Sequence, residues 1–326
     1  MDIDRIEAAA TRGAGRVRHT PLLSSPFLDE IAGRQVFVKA ECLQHTGSFK
    51  YRGAWSALSA LPEDTRGVIA FSSGNHAQGV ALAARQHGLP SVIVMPADAP
   101  ALKRANTAAL GAEVILYDRA KEDRDAIGER LAEERGLALI RPFDDPQVIA
   151  GQGTCGLEIA EQATEAGIDK ATVLTCCGGG GLTAGIALAL EARAKGLRVR
   201  PVEPADSDDV ARSLVAGRLL RNEVQSRSVC DAIVTPAAGK LTFPILQRLC
   251  GPGLTVTDEQ SLRAVALAFL RLKIVVEPGG AVALAAALFG GQELDEGPVI
   301  CTASGGNVDP GIFGRALEEM SGLDGV

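Results

Sequence analysis

Ala171-Thr-Val-Leu-Thr-Cys-Cys-Gly-Gly-Gly-Gly-Leu-Thr-Ala-Gly-Ile-Ala187 joins an apolar, β-rich run to a helical pattern through four consecutive glycines. An unbroken apolar run suits a strand buried on both faces, and the spacing after the glycines is helical. The same order recurs on either side. Val36-Phe-Val-Lys-Ala-Glu41 precedes a helix from Phe49, and Gly67-Val-Ile-Ala-Phe-Ser72 precedes one from Asn75 to His87. Ser91-Val-Ile-Val-Met-Pro96 leads to a helix near 101–110, and Glu113-Val-Ile-Leu-Tyr117 to a charged one. Leu197-Arg-Val-Arg-Pro-Val-Glu-Pro204 and Pro298-Val-Ile-Cys-Thr-Ala-Ser-Gly-Gly306 repeat the pattern towards the end. Apolar strands separated by helices define an α/β fold with parallel sheets covered on both faces. Two α/β domains are expected. Residues 46–144 would form the small one, and residues 1–45 with 145–326 the large one.

Composition narrows the function classes. Of 326 residues 46% are hydrophobic and 22% charged, enough for a substantial core. The net charge of -7, with no block of Lys and Arg, argues against a nucleic-acid partner. Apolar stretches are interrupted by Gly, Pro or charge before they could span a bilayer, and the first residues lack an apolar leader segment. Seven cysteines lie scattered without CxxC spacing, which fits reduced thiols in a cytoplasmic protein. Gly151-Gln-Gly153-Thr-Cys-Gly156 matches a dinucleotide pattern, but two prolines separate it from the preceding strand and no acid follows at ribose spacing. Close packing of a helix is the competing explanation. His19, His45, His76 and His87 show no zinc spacing, and neither GxSxG nor GxxxxGK[ST] occurs.

Lys50 stands just after a Gly-Ser turn at the start of a helix, beside Arg52. A helix N-terminus and a neighbouring guanidinium both favour a neutral amine, the form that makes Schiff bases. An exposed first-turn lysine is the alternative on these residues alone. Gly178, Gly179, Gly180 and Gly181 form a turn whose N–H groups can converge on an anion at the following helix N-terminus. The P-loop lysine is missing, so a single terminal phosphate suits the turn better than a triphosphate.

These features together resemble a known family. Gly47-Ser-Phe-Lys-Tyr-Arg-Gly-Ala54, Ser72-Ser-Gly-Asn-His-Ala-Gln-Gly79, the tetraglycine turn and Ala303-Ser-Gly-Gly-Asn307 look like the serine/threonine dehydratases and serine racemases of pyridoxal-phosphate fold type II. Order and separation also match, over roughly residues 15 to 315. The resemblance implies a tryptophan-synthase-β-like pair of domains with pyridoxal 5'-phosphate in the cleft, usually in a homodimer. It implies that Lys50 is the Schiff-base lysine and base, and that Phe49 packs on the pyridine ring. Asn75 would partner the ring hydroxyl, Gly178 to Gly181 with Leu182 the phosphate, and Ser304 the ring nitrogen. Gly239 and Glu277 align with positions lining the ring. A neutral hydroxyl at the nitrogen weakens the electron sink, which favours β-elimination over transamination.

For the substrate, Ser72, Ser73, Asn75 and His76 form a polar loop that could receive an α-carboxylate. Ser73 resembles the racemase residue facing the cofactor opposite the lysine, although both serines could equally cap the next helix. Glu203, Ser207 and Asp209 look like the family's divalent-cation site; magnesium, calcium and manganese fit alike. Solvated helix caps are the competing reading. The activity implied is an ammonia-lyase acting on L-threonine or L-serine, with 3-hydroxyaspartate ammonia-lyase and serine racemase as alternatives. A non-catalytic binding protein on the same scaffold is the alternative from another class. The chain ends at Val326, so no appended regulatory domain is expected. A second substrate carboxylate would need a cation, for which His45, His76, Arg124 and Arg141 are candidates. Arg141 replaces a His found in many relatives, but a surface position at a strand end explains it too.

Overall fold

The computed structural model describes residues 2–72, 74–99, 101–118, 121–223 and 226–321. Its strands are β1 (Leu22–Ser24), β2 (Val36–Lys39), β3 (Val68–Phe71), β4 (Ser91–Pro96), β5 (Glu113–Tyr117), β6 (Ala138–Leu139), β7 (Ala171–Cys176), β8 (Leu197–Pro204), β9 (Leu254–Val256) and β10 (Val299–Thr302). They form two sheets, with orders β1-β2-β10-β7-β8-β9 and β5-β4-β3-β6. All pairings are parallel except β1 with β2. β10, from the end of the chain, lies between β2 and β7, with Val299 opposite both Val36 and Thr172. The chain therefore begins one sheet, leaves to build the other, and returns.

Side-chain alternation accounts for two-sided burial. In β3, Val68 and Ala70 pack with the helices Lys50–Leu58 and Asn75–His87, whereas Ile69 and Phe71 join Leu131 of the helix Arg124–Arg135. Residues two apart share a face, so an all-apolar strand needs cover on both. The larger sheet is covered on one face by the helix Pro278–Phe289, whose residues from Pro278 to Leu288 are buried. On the other face lie the helices Pro146–Glu165 and Gly181–Arg193. Each buried Leu, Ile or Val is worth roughly 1.5–3 kcal/mol before ordering entropy is subtracted. No helix among the described residues is long and apolar enough to cross a membrane.

The glycines of the pattern at 151–156 lie inside the helix Pro146–Glu165. A Cβ on Gly151 would stand 2.4 Å from the Arg52 carbonyl oxygen, and one on Gly156 2.9 Å from the Ile186 Cα. Close helix packing explains them, and one of the packed helices carries Lys50.

Candidate active site between the two sheets

A cavity of about 540 Å³ opens where several parallel strands end, the usual position for a ligand in an α/β sheet. Ser72 follows β3, Gly178 follows β7 and Ser304 follows β10; all three line the cavity. So do Phe49, Lys50, Asn75, His76, Leu182, Glu277 and all four glycines of the turn. Segments more than 250 residues apart meet because β10 lies beside β2, and Phe49 N–H donates to the Ser304 carbonyl at 3.1 Å.

Lys50 is the first residue of its helix and is partly buried. Its Nζ donates to the Pro142 carbonyl at 2.9 Å and lies 5.1 Å from the Phe49 ring centre. Burial pushes the ammonium down to about 8, against an opposing pull from Glu277. The expected help from Arg52 does not materialise. Residues two apart on a helix point in different directions, and the Arg52 guanidinium is spent on Glu41 and Glu158.

Each glycine of the turn has its own reason. A Cβ on Gly178 would stand 2.8 Å from the Ile233 carbonyl oxygen, and one on Gly179 2.4 Å from the Phe143 ring. On Gly181 it would meet Phe143 at 3.0 Å, and Gly180 adopts φ +86°, where side chains are strained. The turn's carbonyls are held back: Gly179 O accepts from Gly239 N–H and Thr242 Oγ1, and Gly180 O from Ala184 N–H. The helix Gly181–Arg193 begins at this point and adds its N-terminal dipole. Thus the residues present fit a phosphate group. Gly239 backs the turn instead of lining the cavity; a Cβ there would stand 2.1 Å from Asp144 Oδ1.

On the loop after β3, Ser72 Oγ accepts from Gly74 N–H at 3.2 Å, and Gly74, not a serine, is the N-cap of the helix Asn75–His87. Ser73 lies outside the described residues. His76 is buried, with Nε2 3.0 Å from the Ile140 carbonyl. Burial and then the Lys50 charge push it down to about 3, so the ring is neutral and Nε2–H donates. Glu277 is buried and accepts from Asn75 Nδ2 at 2.5 Å; burial pushes its carboxyl up to about 7.

Glu203 and Asp209 are buried, whereas Asp206 between them is exposed. Glu203 accepts from the N–H groups of Val210 and Ala211, capping the helix Asp209–Ala216 from below. Asn222 Nδ2 reaches Asp209 Oδ1 at 2.7 Å and Ser207 Oγ at 3.0 Å. Asp209 Oδ2 is buried without a hydrogen-bond partner among the described residues. Burial raises both carboxyl groups, Glu203 well above its usual range and Asp209 to about 6. Among the described residues no three His, Cys, Asp or Glu side chains converge as a metal set. An orphaned carboxylate oxygen beside a second acid nonetheless suits a hard cation. Ser207 and Asn222 also line the cavity, which joins the two places.

Of the four candidate cations, Arg124 lines the cavity, its guanidinium 5.7 Å from the Phe71 ring centre. Arg141 is half-exposed, lies 4.0 Å from Glu129 and does not line the cavity. His45 does not line it either.

Sequence reading missed Phe143, Asn222, Lys103 and Asp231, all of which line the cavity. Lys103 and Asp231 pair at 3.3 Å although 128 residues separate them. No local pattern marks a contact of that kind.

An amine, a phosphate-sized turn and the Ser304 hydroxyl lining one cavity define a site for pyridoxal phosphate, and comparison with known proteins agrees. Residues 14–305 match the model of the family described as pyridoxal-phosphate dependent enzyme, and the chain belongs to that family. The L-threo-3-hydroxyaspartate ammonia-lyase of Pseudomonas sp is 43% identical over 303 residues, covering 92% of this chain and 93% of that protein. The serine racemase of Schizosaccharomyces pombe is 39% identical over 318 residues, covering 97% of each. The crystal structure of the threonine deaminase of T.th. superposes with a TM-score of 0.90 at 47% identity, covering 95% of this chain and 99% of that one. The fold is therefore the fold type II arrangement of these enzymes.

Proposed function

We propose that the protein is an ammonia-lyase that removes water and ammonia from L-threonine or L-serine, leaving a 2-keto acid. The observation that carries this reading is a partly buried lysine amine, shifted down to about 8, facing a cavity that also holds the glycine turn and Ser304. Pyridoxal phosphate, when bound, withdraws electrons from the substrate Cα so that its proton can leave. Lys50 would hold the cofactor through its amine and would take the Cα proton on Nζ. Phe49 packs beside this amine. Gly178 to Gly181 and Leu182 would receive the phosphate, backed by Gly239. Asn75 and Glu277 would face the ring, and Ser304 Oγ its nitrogen without donating full charge, which favours expulsion of the β-hydroxyl. Ser72, Asn75 and His76 would hold the α-carboxylate; neutral His76 orients the loop through Ile140. Ser73 is the residue a racemase activity would require opposite Lys50.

Further parts of the proposal concern the whole molecule. Residues 46–144 form the small domain, and residues 1–45 with 145–326 the large one. Glu203, Ser207 and Asp209 bind a divalent cation such as magnesium, and the protein acts as a cytoplasmic homodimer. Arg124 favours a second reading, in which 3-hydroxyaspartate is the substrate, because a cation within the cavity could receive its second carboxylate.

Keto-acid formation across L-threonine, L-serine, D-serine and the 3-hydroxyaspartate isomers decides among these readings. Lys50→Ala should lower turnover by roughly 10²–10⁴-fold or more with the fold intact; near-normal elimination would remove Lys50 from the mechanism. Arg124→Met should weaken hydroxyaspartate turnover selectively if that is the substrate, and Arg141→Met should leave the preference unchanged. Equal behaviour of the two variants would remove Arg124 from substrate choice.

A further inference from the structure

Three hydrogen bonds around Asn75 determine which end of its amide faces which neighbour. Asn307 Nδ2 donates to the Thr46 carbonyl at 2.8 Å and to Asn75 Oδ1 at 2.7 Å. A backbone carbonyl can only accept, so Asn307 must present its NH₂ on that side. Asn75 Oδ1 is then committed to Asn307, and Asn75 Nδ2 is left to donate to Glu277 Oε1.

Glu277 by itself would not impose this orientation. A carboxylate accepts, but a protonated carboxyl can donate to an amide oxygen, and burial pushes Glu277 up to about 7. The Thr46 carbonyl has no second state. Packing holds the relay in place: a Cβ on Gly47 would stand 2.8 Å from Asn307 Oδ1, and one on Gly305 2.0 Å from Glu277 Oε1 and 3.0 Å from Asn75 Nδ2. Backbone bonds tie the same segments together, from Gly306 N–H to Gly47 O and from Glu277 N–H to Gly305 O.

We infer that Asn307 is a positioning residue: anchored on the Thr46 carbonyl, it obliges Asn75 to offer the cavity an N–H and not its carbonyl oxygen. Asn75 lines the cavity, and Nδ2 carries a second hydrogen beyond the one used by Glu277. The inference rests on the reading of Asn75 as partner of the cofactor's ring hydroxyl and adds its polarity. A donor there favours the ionised ring oxygen over the phenol.

The test uses the holoprotein without substrate, comparing absorbance at one pH and the dissociation constant for pyridoxal phosphate in wild type, Asn307→Asp and Asn307→Ala. In Asn307→Asp the carboxylate accepts from Asn75 Nδ2 and turns that amide over. Absorbance should move from the long-wavelength form with an ionised ring oxygen towards the shorter-wavelength protonated form. Cofactor affinity should fall about tenfold, as expected for one lost hydrogen bond. Asn307→Ala removes the donor without adding charge and should show both bands together; if the Asp variant does not fold, the Ala variant decides alone. Folded variants that keep the wild-type spectrum and affinity overturn the relay while leaving the function standing, provided wild type takes up the cofactor on Lys50. Wild-type protein that takes up none removes both.

Discussion

Two groups of buried acids lie in the same molecule and are treated in opposite ways. Glu41 and Glu158 meet Arg52 and Lys39: Arg52 bonds both carboxylates, and Lys39 Nζ reaches Glu158 at 2.6 Å and the Thr20 carbonyl at 2.7 Å. Glu203 and Asp209 are as buried as Glu41, yet helix N–H groups and the Asn222 amide are what meet them there. At Glu41 the Arg52 charge and hydrogen bonds, with Lys39, outweigh burial and hold that group below its usual range. At Glu203 and Asp209 burial prevails. A buried charge persists only where a partner offsets desolvation. The first group is therefore complete as protein, and the second leaves Asp209 Oδ2 without a hydrogen-bond partner among the described residues.

Arg52→Met should expose the difference most. It leaves the buried Glu41 and the partly buried Glu158 with Lys39 as the remaining cation, and a broken buried pair costs about 3–5 kcal/mol. Urea unfolding should show that loss; a midpoint unchanged from wild type would mean the network adds nothing. Acid tests the same pairing. A carboxyl held low when folded stabilises the protein above its unfolded pKa, and that contribution disappears as pH falls through the folded value. Glu41 should therefore make wild type lose stability in acid more steeply than Glu41→Gln. The helix carrying Lys50 is pinned by this network, so cofactor uptake should fall as well.

How much of this was legible beforehand depended on distance along the chain. The helix Asn75–His87 occupies the expected span, because Gly88 in the left-handed conformation ends it and the apolar β3 precedes its loop. Lys50, the tetraglycine turn and Ser304 were recognisable as motifs, and the cavity brings all of them together. Arg52 is near Lys50 in sequence but not on the helix surface, and its guanidinium meets Glu41 and Glu158 instead. Phe143 fills the space that two glycines leave, its ring against Gly179 and its Cβ and backbone against Gly181, a contact between distant segments that no local spacing marks. The Asn307–Asn75 contact spans 232 residues and depends on strand order, which no local spacing encodes.

The cation should produce the next largest effect. If Glu203, Ser207 and Asp209 bind magnesium or calcium in the folded state alone, saturation to a hundred times the dissociation constant adds about 2.7 kcal/mol. Thermal melting in chelator, then with each ion restored, measures it. Unchanged melting across that series would show that these buried acids coexist without a cation, and the contrast with Glu41 would need another cause.

The smallest effect belongs to one atom exchange, applied to both groups without divalent cations. Asp209→Asn keeps Oδ1 for Asn222 and replaces the orphaned Oδ2 with an amide nitrogen, so that no charge can form there beside Glu203. A neutral unpaired group costs less than a charged one in the same place. Stability should therefore change by no more than about 1 kcal/mol, in the stabilising direction. Glu41→Gln makes the same change where both oxygens are held by Arg52. It should destabilise, because one NH₂ would then face a guanidinium. Opposite signs for these substitutions would establish that pairing, not burial, separates the groups. A large loss at Asp209 in chelator would instead mean that its carboxylate is already satisfied within the protein, and the cation site would have no physical basis.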